Sequence, residues 1–169
     1  MASATRLETA IDRIRFARLY TSQFLSGLSD DEWFWCPSEL TTHIAWQVGH
    51  VAVAQYNLCL RRVRGRTPAD ETFMPDRFIE VFKFGSKPAA EPAHNPPLAE
   101  IRRVFDGVYE QALKELATRS DAELDVPVEQ PHPAFKTKLG AVEYAPQHEL
   151  VHAGQIALLR RLMGKPALR

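Results

Sequence analysis

Apolar residues recur at helical spacing in four segments of the chain, and each predicts a helix. In the first, from about Ala4 to Leu28, the apolar residues Leu7, Ala10, Ile14, Ala17, Phe24 and Leu28 share a face, while Arg6, Asp12, Arg13 and Arg15 supply polar positions. Ser29-Asp30-Asp31-Glu32 then reads as a cap and a short turn of helix, closed off by Pro37. The second segment, from about Thr42 to Val63, is apolar on nearly every side, from Ile44, Ala45 and Trp46 through Val51, Val53, Leu58 and Leu60. A helix that is hydrophobic all round is buried. Its polar residues Gln47, His50, Gln55 and Asn57 must therefore find partners inside the protein.

From Gly65 to Pro97 the pattern breaks. Met74 to Phe84 predicts a short helix, but Pro88, Pro92, Pro96 and Pro97 make the rest irregular, and so long a connection predicts a cover over a site. The third long helix is expected from about Leu98 to Ala117, with Leu98, Ile101, Phe105, Val108, Ala112 and Leu116 on one face. Ser120-Asp121-Ala122-Glu123 starts a further short turn, after which Pro127, Pro131 and Pro133 predict a second loop. The last helix is expected from about Val142 to Met163. Gly164 and Pro166 stop it, and Arg160 and Arg161 complement its negative end. No segment shows strand alternation. The expected fold is all-α: a four-helix bundle with long proline-rich loops, in a single domain over residues 1–169.

Composition narrows the function. A chain of 169 residues suits one domain that buries roughly 70% of its unfolded surface without disulfide staples. Lys plus Arg and Asp plus Glu are 21 each, which offers no basic footprint for nucleic acid or an anionic membrane. So neutral a surface sets no charge barrier to self-association, and a homodimer is the expected assembly. Cys36 and Cys59 form no CxxC pair, and Cys59 reads as a small buried hydrophobe. The first residues lack the continuous apolar region of a signal peptide, and no stretch reaches the ~20 apolar residues of a membrane span. The expected location is the cytoplasm.

The chemistry concentrates on histidines. His148 and His152 are four residues apart, which on a helix puts their Cβ atoms about 5–6 Å from each other on one face. That face continues the apolar stripe of Ala145, Ile156, Leu159 and Met163, so both rings are expected to point inward. His50, on the buried second helix, can meet them at mid-height of an antiparallel bundle. Three histidines leave the fourth position of a tetrahedral ion open, as catalytic sites do. Hydrogen-bonded core histidines are the alternative reading. His148-Glu149-Leu150-Val151-His152 also matches the HExxH helix of zinc proteases, in which the Glu is the base. Its context fails: no His, Asp or Glu follows His152, and Gln155 and Leu158 stand where the longer protease motif needs Gly and His. Glu149 lies about 100° around the helix from His148 and is expected to face solvent. His43 fits either a second-layer role or the helix start, and His94 and His132 are expected in solvated loops. Trp33 and Trp35 are expected to pack, and Trp46, one turn before His50, can wall a pocket.

Trp46-Gln47-Val48-Gly49-His50-Val51-Ala52 resembles the WxxGHxA segment of the DinB-like family. The run His148 to Ile156, with Leu159-Arg160-Arg161 and Gly164, is similar to that family's HxxxHxGQIxxLRRxxG segment. The stretch Ser120 to Asp125 resembles the one before their last helix, whereas Gly65 to Pro97 matches nothing in the pattern. The resemblance implies a four-helix bundle with a divalent metal, Zn or Ni, on His50, His148 and His152; imidazoles alone do not select the ion. It implies a metal-dependent transferase related to bacillithiol- and mycothiol-dependent S-transferases, or a hydrolase. Either would act on a small-molecule substrate, the former with a low-molecular-weight thiol as cosubstrate whose pKa the metal lowers. Substrate preference would then lie in Gly65 to Pro97. A non-catalytic stress-response or binding bundle with a vestigial site is the alternative.

Overall fold

Thr5 Oγ1 accepts the Glu8 amide at 3.1 Å and the Glu8 carboxylate accepts the Thr5 amide at 2.7 Å, a reciprocal cap that starts α1 (Arg6–Leu25). The computed structural model describes residues 4–37, 42–89 and 91–168. Ser29 and Glu32 cap the short α2 (Asp30–Phe34) in the same way. α3 (Ile44–Tyr56) begins at His43, whose Nδ1 accepts the Trp46 amide at 3.1 Å. It runs on through a π-helical turn (Asn57–Arg61) into α4 (Arg62–Arg64). The proline-rich segment is more ordered than its composition suggests: it contains a 3-10 turn (Pro68–Thr72), α5 (Asp76–Phe82) and a second 3-10 turn (Pro92–His94). Next come α6 (Leu98–Leu116), the Ser120-capped α7 (Asp121–Leu124) and, last, α8 (Lys138–Leu162). α8 runs through Pro146 and ends at Gly164, which takes a positive φ of 80°.

Contacts between the long helices fix their directions. Arg6 pairs with Glu143, Arg18 with Glu149, and Arg160 reaches the Phe24 carbonyl, so α1 and α8 run parallel. Gln47 meets His152 while Lys138 meets the Val63 carbonyl, so α3 and α8 run antiparallel. Arg18 links Gln55 to Phe105, and Arg64 binds Glu115, so α3 and α6 run parallel. The order is up, down, down, up. Two consecutive parallel helices need a connection as long as the bundle, about 30 Å at 1.5 Å per residue over 44–64. That requirement is the physical reason for the long segment between α4 and α6.

Two local expectations are corrected. The proline-rich stretch expected to be a loop forms an antiparallel hairpin, β1 (Pro127–His132) and β2 (Phe135–Thr137), paired at Pro127 with Thr137 and at His132 with Phe135. The ladder is irregular between those pairs, which lets prolines sit in so short a ribbon. α8 starts at Lys138, before the expected Val142, because Thr137 Oγ1 accepts the Gly140 amide at 3.1 Å. Arg160 lies in the last turn of α8, as expected, and is also buried there, donating to the carbonyls of Phe24 and Ser26, both at 2.8 Å, which ties α8 to the end of α1.

Glu149 is the largest departure. It is 2% exposed rather than solvent-facing, and Arg18 Nε donates to it at 3.0 Å. Arg18 also donates to the Phe105 carbonyl at 2.8 Å and to Gln55 Oε1 at 2.7 Å, with its guanidinium 3.4 Å from the centre of the Phe105 ring. Removing one partner of such a pair leaves a buried charge. Arg18→Ala is therefore expected to cost about 3–5 kcal/mol in urea unfolding, whereas the joint replacement Arg18→Met with Glu149→Leu recovers most of that loss.

Candidate metal centre

The geometry of the site begins with a glycine. A Cβ placed on Gly49 would lie 2.5 Å from the Phe82 ring, so only glycine lets α5 pack this closely on α3. With Phe82 seated there, its carbonyl accepts the His50 Nδ1 proton at 2.8 Å. Trp46, one turn earlier, stacks on His50 with ring centres 4.9 Å apart and planes 6° apart, and its indole N–H donates to Ser86 Oγ at 3.1 Å. The long crossover thus orients the histidine from behind, and Trp46 packs on its ring without lining the neighbouring cavity.

His152 is oriented in the same way from the opposite helix. Its Nδ1 faces Gln47 Oε1, while the Gln47 amide donates to Thr42 Oγ1 at 3.0 Å and so keeps its oxygen toward the ring. Both His50 and His152 therefore present Nε2 with its lone pair free. His148 joins them, with ring centres 5.3 Å from His50 and 4.5 Å from His152. The possible ligand atoms of the three all lie within 4.8 Å of one another, and no other such group of His, Cys, Asp or Glu occurs among the described residues. Ligands on one tetrahedral ion stand roughly 3.3 Å apart, a closure that side-chain rotation supplies. The donor set fits a divalent cation.

Residues 13–156 match the model of the DinB superfamily. The chain belongs to this superfamily. No curated protein matches it. In this DinB protein the fingerprint residues of α3 have separate tasks: Trp46 stacks, Gly49 makes room for Phe82, and His50 presents a nitrogen. The other residues singled out from the sequence are not part of the cluster. His43 is a helix cap whose Nε2 meets the Ala89 carbonyl at 3.0 Å, and His94 lies exposed in its 3-10 turn. Glu149 is committed to Arg18, which removes it as the base of an HExxH site. Cys59 is fully buried, and burial followed by the nearby Glu149 charge pushes its thiol up to about 12.

His132, expected in solvent, stands at the rim instead. The hairpin stacks it on Phe135 with centres 4.3 Å apart, 5.6 Å from Tyr144. Nothing in the spacing announced it, because the prolines on either side of it read as loop. His132 and Tyr144 join His50, His148, Phe84 and Leu58 around a cavity of about 180 Å³ that opens beside the cluster.

Burial disfavours the charged imidazole throughout the cluster. It lowers His50 against the opposing Phe82 hydrogen bond. Burial, then His50 and His132, takes His148 down to about 4; burial, then His148 and His50, takes His152 to about 3. The rings are neutral at pH 7, the form a metal requires. Because the folded pKa values lie below the unfolded value of about 6.5, the unfolded chain binds more protons between them. The stability due to these neutral rings is complete above pH ~6.5 and is lost as pH falls toward 3–4. Metal-free protein should show a urea midpoint that declines from pH 6.5 to 4, with a shallower decline in the double variant His148→Ala, His152→Ala.

Two glycines give opposite expectations. Gly49→Ala forces its methyl into the Phe82 ring and is expected to cost about 1–3 kcal/mol in thermal or urea unfolding. At Gly154 an added Cβ meets nothing within 4 Å, so Gly154→Ala is expected to stabilise α8 by about 0.5–1 kcal/mol.

Proposed function

We propose that this DinB protein is a metal-dependent enzyme that binds one divalent ion, Zn²⁺ or Ni²⁺, through His50, His148 and His152. Its reaction on this reading is a thiol S-transfer or a hydrolysis of a small molecule. One observation carries it: three neutral imidazoles from two antiparallel helices converge beside an open cavity, two of them with Nδ1 already engaged. A structural zinc site would be closed by a fourth protein ligand. Here Glu149, the carboxylate next to His148 in sequence, is held by Arg18, and no fourth His, Cys, Asp or Glu joins the group among the described residues.

When bound, the ion would supply Lewis acidity at the open position, lowering the pKa of a thiol or a water there. The chain's own residues do the rest. Phe82 and Gln47 hold two rings in the required tautomer and orientation. Val53, Leu58 and Phe84 line the cavity with apolar surface, and His132 and Tyr144 place an imidazole and a phenol at its rim, where a proton can be taken or given.

Elemental mass spectrometry of protein purified without a histidine tag is expected to find about one equivalent of Zn or Ni per chain. His148→Ala should lose it while far-UV circular dichroism stays largely unchanged, because the core does not include this half-buried ring. Chelation should lower the melting temperature of the loaded protein, in proportion to a stabilisation of about 4 kcal/mol when free ion is 1,000-fold above Kd. No metal after reconstitution would overturn the reading. Unfolding of His148→Ala would make the ion structural rather than catalytic.

A further inference from the structure

The cavity at the histidines is small for a whole substrate: pockets for small molecules usually measure about 300–1,000 Å³, against about 180 Å³ here. It does not stand alone. Asn57 and Arg62 also line a second, larger groove of about 620 Å³ that runs from the π-helical turn along α4, β1 and the start of α8. π-Helical turns inside α-helices occur often at functional sites, and this one lies where the two spaces meet.

The groove is basic in a chain that is neutral overall. Arg61, Arg62, Arg64, Arg66 and Lys138 line it against one carboxylate, that of Glu129. Two of these cations are already neutralised. Arg64 binds Asp70 and Glu115, and Arg66 binds Glu71 and Asp76. Arg61, Arg62 and Lys138 are paired with no carboxylate among the described residues. Arg62 donates to the Gln130 carbonyl at 3.2 Å with its guanidinium over the Phe135 ring, and Lys138 donates to the Val63 carbonyl at 2.9 Å. These carbonyls order the two cationic heads without cancelling their charge, so part of the entropy of fixing them is lost before any ligand arrives.

We propose that this groove is an anion subsite, in which Arg61, Arg62 and Lys138 hold the carboxylate- or phosphate-bearing end of the small molecule whose reacting end enters the three-histidine cavity. The second half of that statement rests on the function proposed above; the first stands without it. A guanidinium and an ammonium side by side suit either anion, the former through paired N–H donors. The ordered, charge-bearing end thereby lies on the hairpin side of the site, and the chemistry on the α3–α8 side.

The test is a calorimetric titration of the full-length protein with citrate and with pyrophosphate, glycerol serving as the neutral control. It is repeated on the double variant Arg62→Gln, Lys138→Gln and on His148→Ala, with circular dichroism confirming that each is folded. Wild type is expected to bind at least one anion and not glycerol. The groove variant should lose about tenfold or more, the worth of a charge-assisted hydrogen bond, while His148→Ala binds as wild type does. Tighter pyrophosphate marks a phosphate-bearing ligand, tighter citrate a carboxylate-bearing one, and both support the subsite. Unchanged binding in the groove variant, or no binding to wild type, overturns it. Loss in His148→Ala alone also overturns it, because the anion then sits on the histidine site. A protein that holds no metal but still binds anions through Arg62 and Lys138 would sink the metal reading and leave the groove standing.

Discussion

The guanidinium of Arg18 touches all four long helices, and the arrangement of the bundle depends on it. It grows from α1, meets Gln55 on α3, the Phe105 carbonyl and ring on α6, and Glu149 on α8. A buried ion pair adds little net stability, because desolvation offsets most of its attraction. What it fixes is rotation. With Glu149 drawn toward α1, the neighbouring face of α8 that carries His148 and His152 is turned toward α3. A small rotation of α8 in either direction would strand Glu149 without its partner, so the register of the two histidines is held by the penalty for leaving a charge unpaired.

The second constraint is topological. Because α3 and α6 run parallel, the chain must travel the length of the bundle between them, and it does so past the histidines. Phe82, Phe84 and Ser86 all come from this return path: a carbonyl for His50, a wall for the cavity, and a hydroxyl for Trp46. The segment that reads as an irregular cover is therefore a supporting layer as well. Gly49 is the point at which it docks.

The elements legible from the sequence are those set by periodicity and caps. The four long helices follow the apolar stripes, Ser29 and Ser120 announce the short helices, and Gly164 ends the chain's last one. The histidine pair was legible for the same reason, since the 3.6-residue period alone puts His148 and His152 side by side. What failed was a charged residue with a distant partner. Glu149 looks like a solvent position, and only the fold reveals that Arg18, 131 residues away, satisfies it. His132 was missed because it ends β1, a strand that contains Pro127 and Pro131 and pairs irregularly with a three-residue partner, and such a ribbon carries no alternation to detect.

Arg18 also has a chemical consequence at the histidines. A free carboxylate one residue from His148 would stabilise the charged imidazole and raise its pKa, the opposite of what a ligand needs. It would also stand ready to close the fourth position of an ion. Pairing Glu149 with Arg18 on the adjacent face of α8 prevents both outcomes: the rings remain governed by burial, by each other and, at His148, by His132, and the open side of the cluster faces the cavity. The HExxH string is thus present while its chemistry is absent. In a zinc protease the Glu of that string must face the reacting water; here the same spacing serves a bundle, in which the residue after the first histidine faces a neighbouring helix and needs a cation there.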